Sequence, residues 1–159
     1  MNLRPGSNDL HFSTLAGSPH PVGEKFVLLP EYNSQLLGLE LATTHLVQAV
    51  KLIYQKDGRE HSLEAGSTTE SNWQTLSLRS ELVALSGQSG WYLDALKFHF
   101  ANGSETALFG GAGGDVSFHV GIHQKQGVWQ GQVVGLWGYA DEVGLEALGL
   151  IFWSVERVK

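Results

Sequence analysis

Asp94 stands four residues after Gly90, with Trp91 and Tyr92 between them, and a glycine-rich stretch, Gly110-Gly111-Ala112-Gly113-Gly114, follows downstream. These residue types suit hydrogen bonding to an uncharged, hydroxyl-rich ligand. A carboxylate offers two acceptor oxygens, and the bare backbone of a glycine loop leaves N–H groups open to a ligand. Aromatic faces stack on the apolar faces of pyranose rings. Gly90 permits the tight loop that turns the amides of Trp91 and Tyr92 toward the Asp94 carboxylate. The plainer use of such an aspartate is to accept bonds from its own loop at a strand entry.

Asp94 must be carried where a loop meets a strand. Leu93 to Phe100 alternates with a period of two, Leu96, Phe98 and Phe100 on one face and Ala95, Lys97 and His99 on the other, and the turn Ala101-Asn102-Gly103 follows. Further strand signals lie at Phe26 to Leu29, Leu36 to Leu41 and Val47 to Tyr54, the last closed by Lys56-Asp57-Gly58, whereas helix caps and sustained helical periodicity are scarce. Residues 1–24, rich in Gly, Pro, Ser and Asn around an apolar patch at Leu10 to Phe12, read as a variable N-terminal arm with a possible first strand. Residues 25–159 form the domain proper, a single domain overall. Three segments stack: Thr44-His45-Leu46-Val47-Gln48-Ala49-Val50, Gly90-Trp91-Tyr92-Leu93-Asp94-Ala95-Leu96 and Glu142-Val143-Gly144-Leu145-Glu146-Ala147-Leu148. Their fifth positions recur at intervals of about 50 residues, room for four short strands and their turns. Pattern alone therefore gives an all-β domain of three repeats.

At these residues, over roughly Asn33 to Val155, the chain resembles the jacalin-related lectins, whose sugar site is a G-x-x-x-D loop facing a G-G loop. Gly90 to Asp94 and Gly110 to Gly114 match the two halves. The resemblance implies a β-prism I, three four-stranded Greek-key sheets with pseudo-threefold symmetry. It also implies a mannose- or glucose-binding lectin without catalysis, with Gly90, Trp91, Tyr92, Asp94, Gly113 and Gly114 as the carbohydrate-binding residues. Asp94 would accept bonds from two adjacent hydroxyls, and the amides of Trp91, Tyr92 and Gly114 would donate. Galactose preference in the family goes with a cleaved chain that frees a glycine amino terminus, and nothing here suggests that cleavage. In the family the first strands carry a G-G loop for the final G-x-x-x-D loop; here Ala16-Gly17-Ser18-Pro19-His20-Pro21 has one glycine, and that half-site is expected to be lost. Repeat one has Thr44 and Gln48 in place of the glycine and aspartate, with Ala65-Gly66-Ser67-Thr68 as second loop, and is expected to bind no sugar. Repeat three has Glu142 and Glu146 at those positions, crowds Asp141 with both, and reads as an altered site.

Composition bounds the alternatives. Charged residues at 16%, hydrophobic residues at 42% and 20 glycines favour a turn-rich β domain. A net charge of -6 with scattered lysines and arginines argues against nucleic acid and anionic membrane surfaces as partners. The absence of cysteine excludes disulfides, thiolate catalysis and Cys-based metal sites. The N-terminus lacks the apolar stretch of a secretory signal and no segment reaches membrane-spanning length, so the product is expected to be cytoplasmic, or exported without a recognisable signal peptide. The glycine run lacks the Lys-Ser/Thr of a phosphate cradle. His119 and His123 lack a third metal ligand, and the acidic stretch 141–146 reads as a solvated loop rather than a calcium site. Asp94 with Asp115 is the only carboxylate pair near the glycine loop that suits glycoside hydrolysis, and no Ser-His-Asp signature is present, so no enzyme, cofactor or metal is expected. One intact site per chain calls for a homo-oligomer to gain avidity, with Leu148 to Val155 and the surplus tryptophans Trp73, Trp129, Trp137 and Trp153 as core or contact surface. The alternative function is a protein-interaction or targeting module, for example toxin-associated, that keeps the prism and has lost most sugar binding.

Overall fold

A computed structural model describes residues 10–67, 73–78 and 80–154. Residues 1–9 of the expected arm, Thr68 of the first repeat's second loop and Val155 at the end of the apolar run lie outside the described residues. In chain order the strands are β1 (Leu10–Phe12), β2 (Ala16–Gly17), β3 (Glu24–Leu28), β4 (Gln35–Thr43), β5 (Val47–Lys56), β6 (Arg59–Gly66), β7 (Trp73–Ser77) and β8 (Leu82–Ser89). They continue with β9 (Leu93–Phe100), β10 (Phe109–Gly110), β11 (Val116–Gly121), β12 (Gln124–Lys125), β13 (Val128–Trp129), β14 (Gly131–Ala140) and β15 (Leu145–Ser154). The described residues contain no helix.

Three antiparallel sheets repeat one plan. The first runs β6-β5-β4-β7, the second β10-β9-β8-β11, and the third β1-β15-β14-β3 with β2 also on β15. In the first two, a long central hairpin is flanked by the strand that follows it and by one that returns to its far side, a Greek-key order; in the third, strands from earlier in the chain take both flanking places. The third sheet joins the two ends of the chain, since β1, β2 and β3 complete the hairpin β14–β15. The architecture is the β-prism I. Register shifts repeat the symmetry, falling at Leu36/Gly38 and Ala42/Thr43, at Leu82/Ala84 and Gln88/Ser89, and at Val133/Gly135 and Tyr139/Ala140. Each hairpin thus carries one bulge near either end, which bends the strands around the core.

The alternation read in the sequence sets the core. Val47 to Tyr54 and Leu93 to Phe100 show the same order of buried and half-buried residues. Leu39, Leu41 and Leu52 of the first sheet, Leu85, Leu96 and Phe98 of the second and Leu136, Leu148 and Leu150 of the third meet in one interior cluster. The apolar run Leu148 to Ile151 is accordingly buried throughout, with Gly149 against the Trp137 indole, and leaves Phe152 to Ser154 partly exposed as surface. The alanine shared by the three stacked segments has a packing cause. Ala49, Ala95 and Ala147 pair with Gly66, Gly110 and Gly17, whose φ angles are 107°, 103° and 121°, and an added Cβ on each glycine would strike the carbonyl of Gln48, Asp94 or Glu146 at 2.3 to 2.4 Å. Here only glycine allows the flanking strand to lie against the hairpin.

Candidate functional site

The pair Ser89↔Leu93 closes a three-residue loop, Gly90 to Tyr92, in which the Gly90 N–H donates to the Tyr92 carbonyl at 3.0 Å. Leu93 is fully buried and anchors the strand, which leaves the next side chain, Asp94, half-buried at its mouth. The second loop is held to the same residue from the other side, since the Gly111 N–H donates to the Asp94 carbonyl at 2.8 Å. A Cβ on Gly113 would lie 2.7 Å from Asp94 Oδ1, and one on Gly114 2.6 Å from Oδ2. The doubled glycines are therefore what let the carboxylate sit against the loop backbone. Among the described residues nothing hydrogen-bonds to that carboxylate, and the N–H groups of Trp91, Tyr92 and Gly114 donate to no protein acceptor.

These groups face one concavity of about 690 Å³, lined by Gly90, Trp91, Tyr92, Asp94 and Gly114 of the expected site together with Asp115. Gly113 is not part of the lining, and its bare backbone lies against the Asp94 carboxylate. Trp91 is 83% exposed on the rim. The neighbouring repeats add His45 and Leu46 on one side and Val143 on the other, contacts that sequence reasoning did not assign. The stacked segments held the signal, because equivalent loops of a threefold prism meet at one end of its axis. The loops touch directly, since a Cβ on Gly111 would meet the His45 carbonyl at 2.4 Å.

One contact across repeats was missed altogether. The Tyr92 hydroxyl donates to Asp141 Oδ2 at 2.6 Å, while Asp141 Oδ1 accepts the N–H groups of Val143 at 2.8 Å and Gly144 at 3.2 Å. The hydrogen bond to Asp141 is the main reason the Tyr92 phenol is pushed up to about 12, with burial and the charge of Asp141 adding to it. Burial is the largest single influence on Asp141 and opposes its ionisation, but the bonds from Tyr92, Val143 and Gly144 outweigh it and hold the carboxyl below its ordinary range.

The other two repeats keep the backbone geometry and spend the side chain differently. Ser67 N–H donates to the Gln48 carbonyl at 3.0 Å and Ser18 N–H to the Glu146 carbonyl at 2.9 Å, as Gly111 does at Asp94. Gln48 Oε1 is buried without a hydrogen-bond partner among the described residues. Glu146 is buried, and its carboxylate accepts Gly23 N–H at 2.6 Å and Val22 N–H at 3.1 Å. The chain between β2 and β3 thus fills the place of a ligand in repeat three. The closing pair there is Ala140↔Leu145, against Thr43↔Val47 and Ser89↔Leu93, so this loop is one residue longer and Glu142 is not a simple replacement of the glycine. Nor do the acidic residues act together: Asp141 caps its own loop while Glu146 turns to the N-terminal segment. Among the described residues no three His, Asp or Glu side chains, His119 and His123 included, come close enough to hold a metal ion.

On the outer face of the second sheet the fold assembles a line that the sequence did not reveal. Ser86 Oγ is 2.7 Å from His99 Nε2, and His99 Nδ1 is 3.3 Å from Glu105 Oε2. Burial lowers the His99 pKa, with help from His119 and Lys97 and against the pull of Glu105. Ser86 lies in a central strand, opposite Lys97 on one side and His119 on the other, so the ladder takes up its backbone and leaves no pair of N–H groups for an oxyanion. Glu105 is also bonded to Lys97 at 3.1 Å. The line ties the β9 surface to the following loop.

No protein-family model and no curated protein sequence matches the chain. Solved structures do. Malaysian banana lectin is 13% identical with a TM-score of 0.69, over 91% of this chain and 99% of that one. Artocarpin, described as a lectin with mannose specificity, is 19% identical with a TM-score of 0.69, over 92% and 99%. The agglutinin of Calystegia sepium is 17% identical with a TM-score of 0.65, over 90% and 97%. The chain has the β-prism I fold of the jacalin-related lectins, its structural neighbours.

Proposed function

We propose that this protein is a lectin that binds mannose- or glucose-type glycans through the concavity of its second repeat, without catalysing their cleavage. The observation that carries this reading is the Asp94 carboxylate, its oxygens against Gly113 and Gly114 and, among the described residues, bonded to no donor, beside the N–H groups of Trp91, Tyr92 and Gly114 that no described residue engages. A carboxylate accepting two adjacent hydroxyls makes charge-assisted bonds, stronger than neutral ones, and its fixed orientation discriminates ring stereochemistry. The exposed Trp91 offers an apolar face to the ring or to the next residue of a glycan. Neighbours support the sugar class, since artocarpin is described with mannose specificity and is solved with mannopentose. Asp115 shares the concavity but is exposed, without the apolar enclosure that a glycosidase's general acid needs.

With few atoms per sugar and about 1 kcal/mol net per hydrogen bond, a monosaccharide binds on the order of millimolar. Repeats one and three have no free equivalent of Asp94, so avidity calls for several chains, and a homo-oligomer is part of the proposal. The test is a glycan array of the wild type beside Asp94→Asn, with sedimentation for the oligomer. Mannose-type signals that vanish in the variant support the reading, and identical profiles refute it. The conversion of the third repeat into an internal contact favours a second reading, a prism that docks a protein; capture of a partner that methyl α-mannoside cannot displace would select it.

A further inference from the structure

We infer that Asp141 is a positioning residue for the candidate site: through the Tyr92 hydroxyl it clamps the loop Gly90 to Tyr92 and so holds the Trp91 and Tyr92 amides in place beside Asp94. The inference deepens the carbohydrate reading and rests on it. It gives the third repeat, closed to ligands by its own N-terminal segment, a task in the site of the second.

Three observations support the clamp. Among the described residues only two hydrogen bonds engage the three loop residues: the internal bond from Gly90 to Tyr92 and the bond from Tyr92 to Asp141. Trp91, at 83% exposed, adds little packing to restrain the loop. The anchor, by contrast, is rigid. Asp141 is oriented by the N–H groups of Val143 and Gly144, and the strand that follows is pinned at Glu146 by the N–H groups of Val22 and Gly23. The extra residue in the loop from Ala140 to Leu145 gives this third-repeat loop room for an acidic side chain that reaches its neighbour.

A monosaccharide makes too few contacts to offset the ordering of a mobile loop, so donors held ready before binding raise affinity directly. Tyr92→Phe removes a single oxygen and leaves the ring, the backbone and Asp94 unchanged. Amide hydrogen exchange at Gly90, whose N–H closes the loop on the Tyr92 carbonyl, and affinity for methyl α-mannoside are measured in the wild type, Tyr92→Phe, Asp141→Asn and the double variant, with the exposed Tyr32→Phe as control. Expected are faster exchange of the Gly90 amide and an affinity about tenfold weaker in Tyr92→Phe, with the double variant no weaker than the single one. Asp141→Asn keeps a capping oxygen for its own loop, so its fold is preserved while the clamp weakens. Unchanged exchange or unchanged affinity in Tyr92→Phe overturns the inference, as does a full additive loss in the double variant. Should the wild type bind no sugar, the carbohydrate reading and with it the site role of Asp141 fall, and exchange then shows separately whether the clamp itself exists.

Discussion

Gly113→Ala probes the site where the glycine loop meets the Asp94 carboxylate. The added Cβ would stand 2.7 Å from Asp94 Oδ1 and 3.4 Å from Cγ, while the backbone of Gly113 lies outside the left-handed region. Carbon–oxygen contact needs roughly 3.3 Å or more, so the carboxylate must retreat by about half an ångström. A site tolerates displacements of only about that size. Loss of one charge-assisted bond costs roughly 1.5–3 kcal/mol, a weakening of about ten- to a hundredfold. Stability should hardly move, because the residue is exposed and an alanine there reduces unfolded-chain entropy. Gly103→Ala is the matching control: its φ is +88° with nothing within 4 Å, so it should cost about 1 kcal/mol of stability and leave binding unchanged. Titration with methyl α-mannoside, with thermal unfolding of each variant, separates the two effects. Wild-type affinity in Gly113→Ala would refute the placement of Asp94 at the ligand.

Glu146→Ala leaves the part-buried amides of Val22 and Gly23 without their acceptor and should destabilise the fold by about 2 kcal/mol in urea unfolding; a change under about 0.5 kcal/mol would show that the N-terminal segment is not held there. Gln48→Met removes a buried unpaired oxygen, so the melting temperature should hold or rise and mannoside affinity stay the same. The Tyr92 pKa is raised from 10.0 to about 12, so its contribution to stability is complete below about pH 10 and lost as pH rises through about 12. Asp141 is shifted downward, so its contribution is complete above 3.8 and lost as pH falls through the lower folded value. The difference in melting temperature between wild type and Tyr92→Phe should therefore be flat near neutrality and shrink at both extremes, and a difference independent of pH would contradict the clamp.

The fold was legible because its signals are local. Period-two alternation marked Leu93 to Phe100, and the recurrent Ala49, Ala95 and Ala147 marked the repeats because each pairs with a glycine of a strand flanking the hairpin. Asp94 and its two glycine loops are close in sequence and were read together. What escaped was long-range. The strand β1 has three residues, too few to show a period, and its partner is β15 at the other end of the chain. Glu146 finds its donors 123 and 124 residues away, and Tyr92 meets Asp141 across 49 residues, with no pattern to announce either. Aligning Glu142 with Gly90 hid the extra residue of the third loop, since an insertion of one leaves the spacing after Leu145 intact. The Ser86, His99 and Glu105 line exists only because adjacent strands place Ser86 and His99 near each other on one face.

The central claim is that sugar binds at Asp94, and the most direct measurement is an amide-resolved NMR titration of the full chain with methyl α-mannoside. Saturable shifts should be confined to the loops 90–94 and 110–115 and their neighbours His45 and Val143, and should disappear in Asp94→Asn. No shift at millimolar sugar, or shifts centred on Gln48 or Glu146 instead, would contradict it.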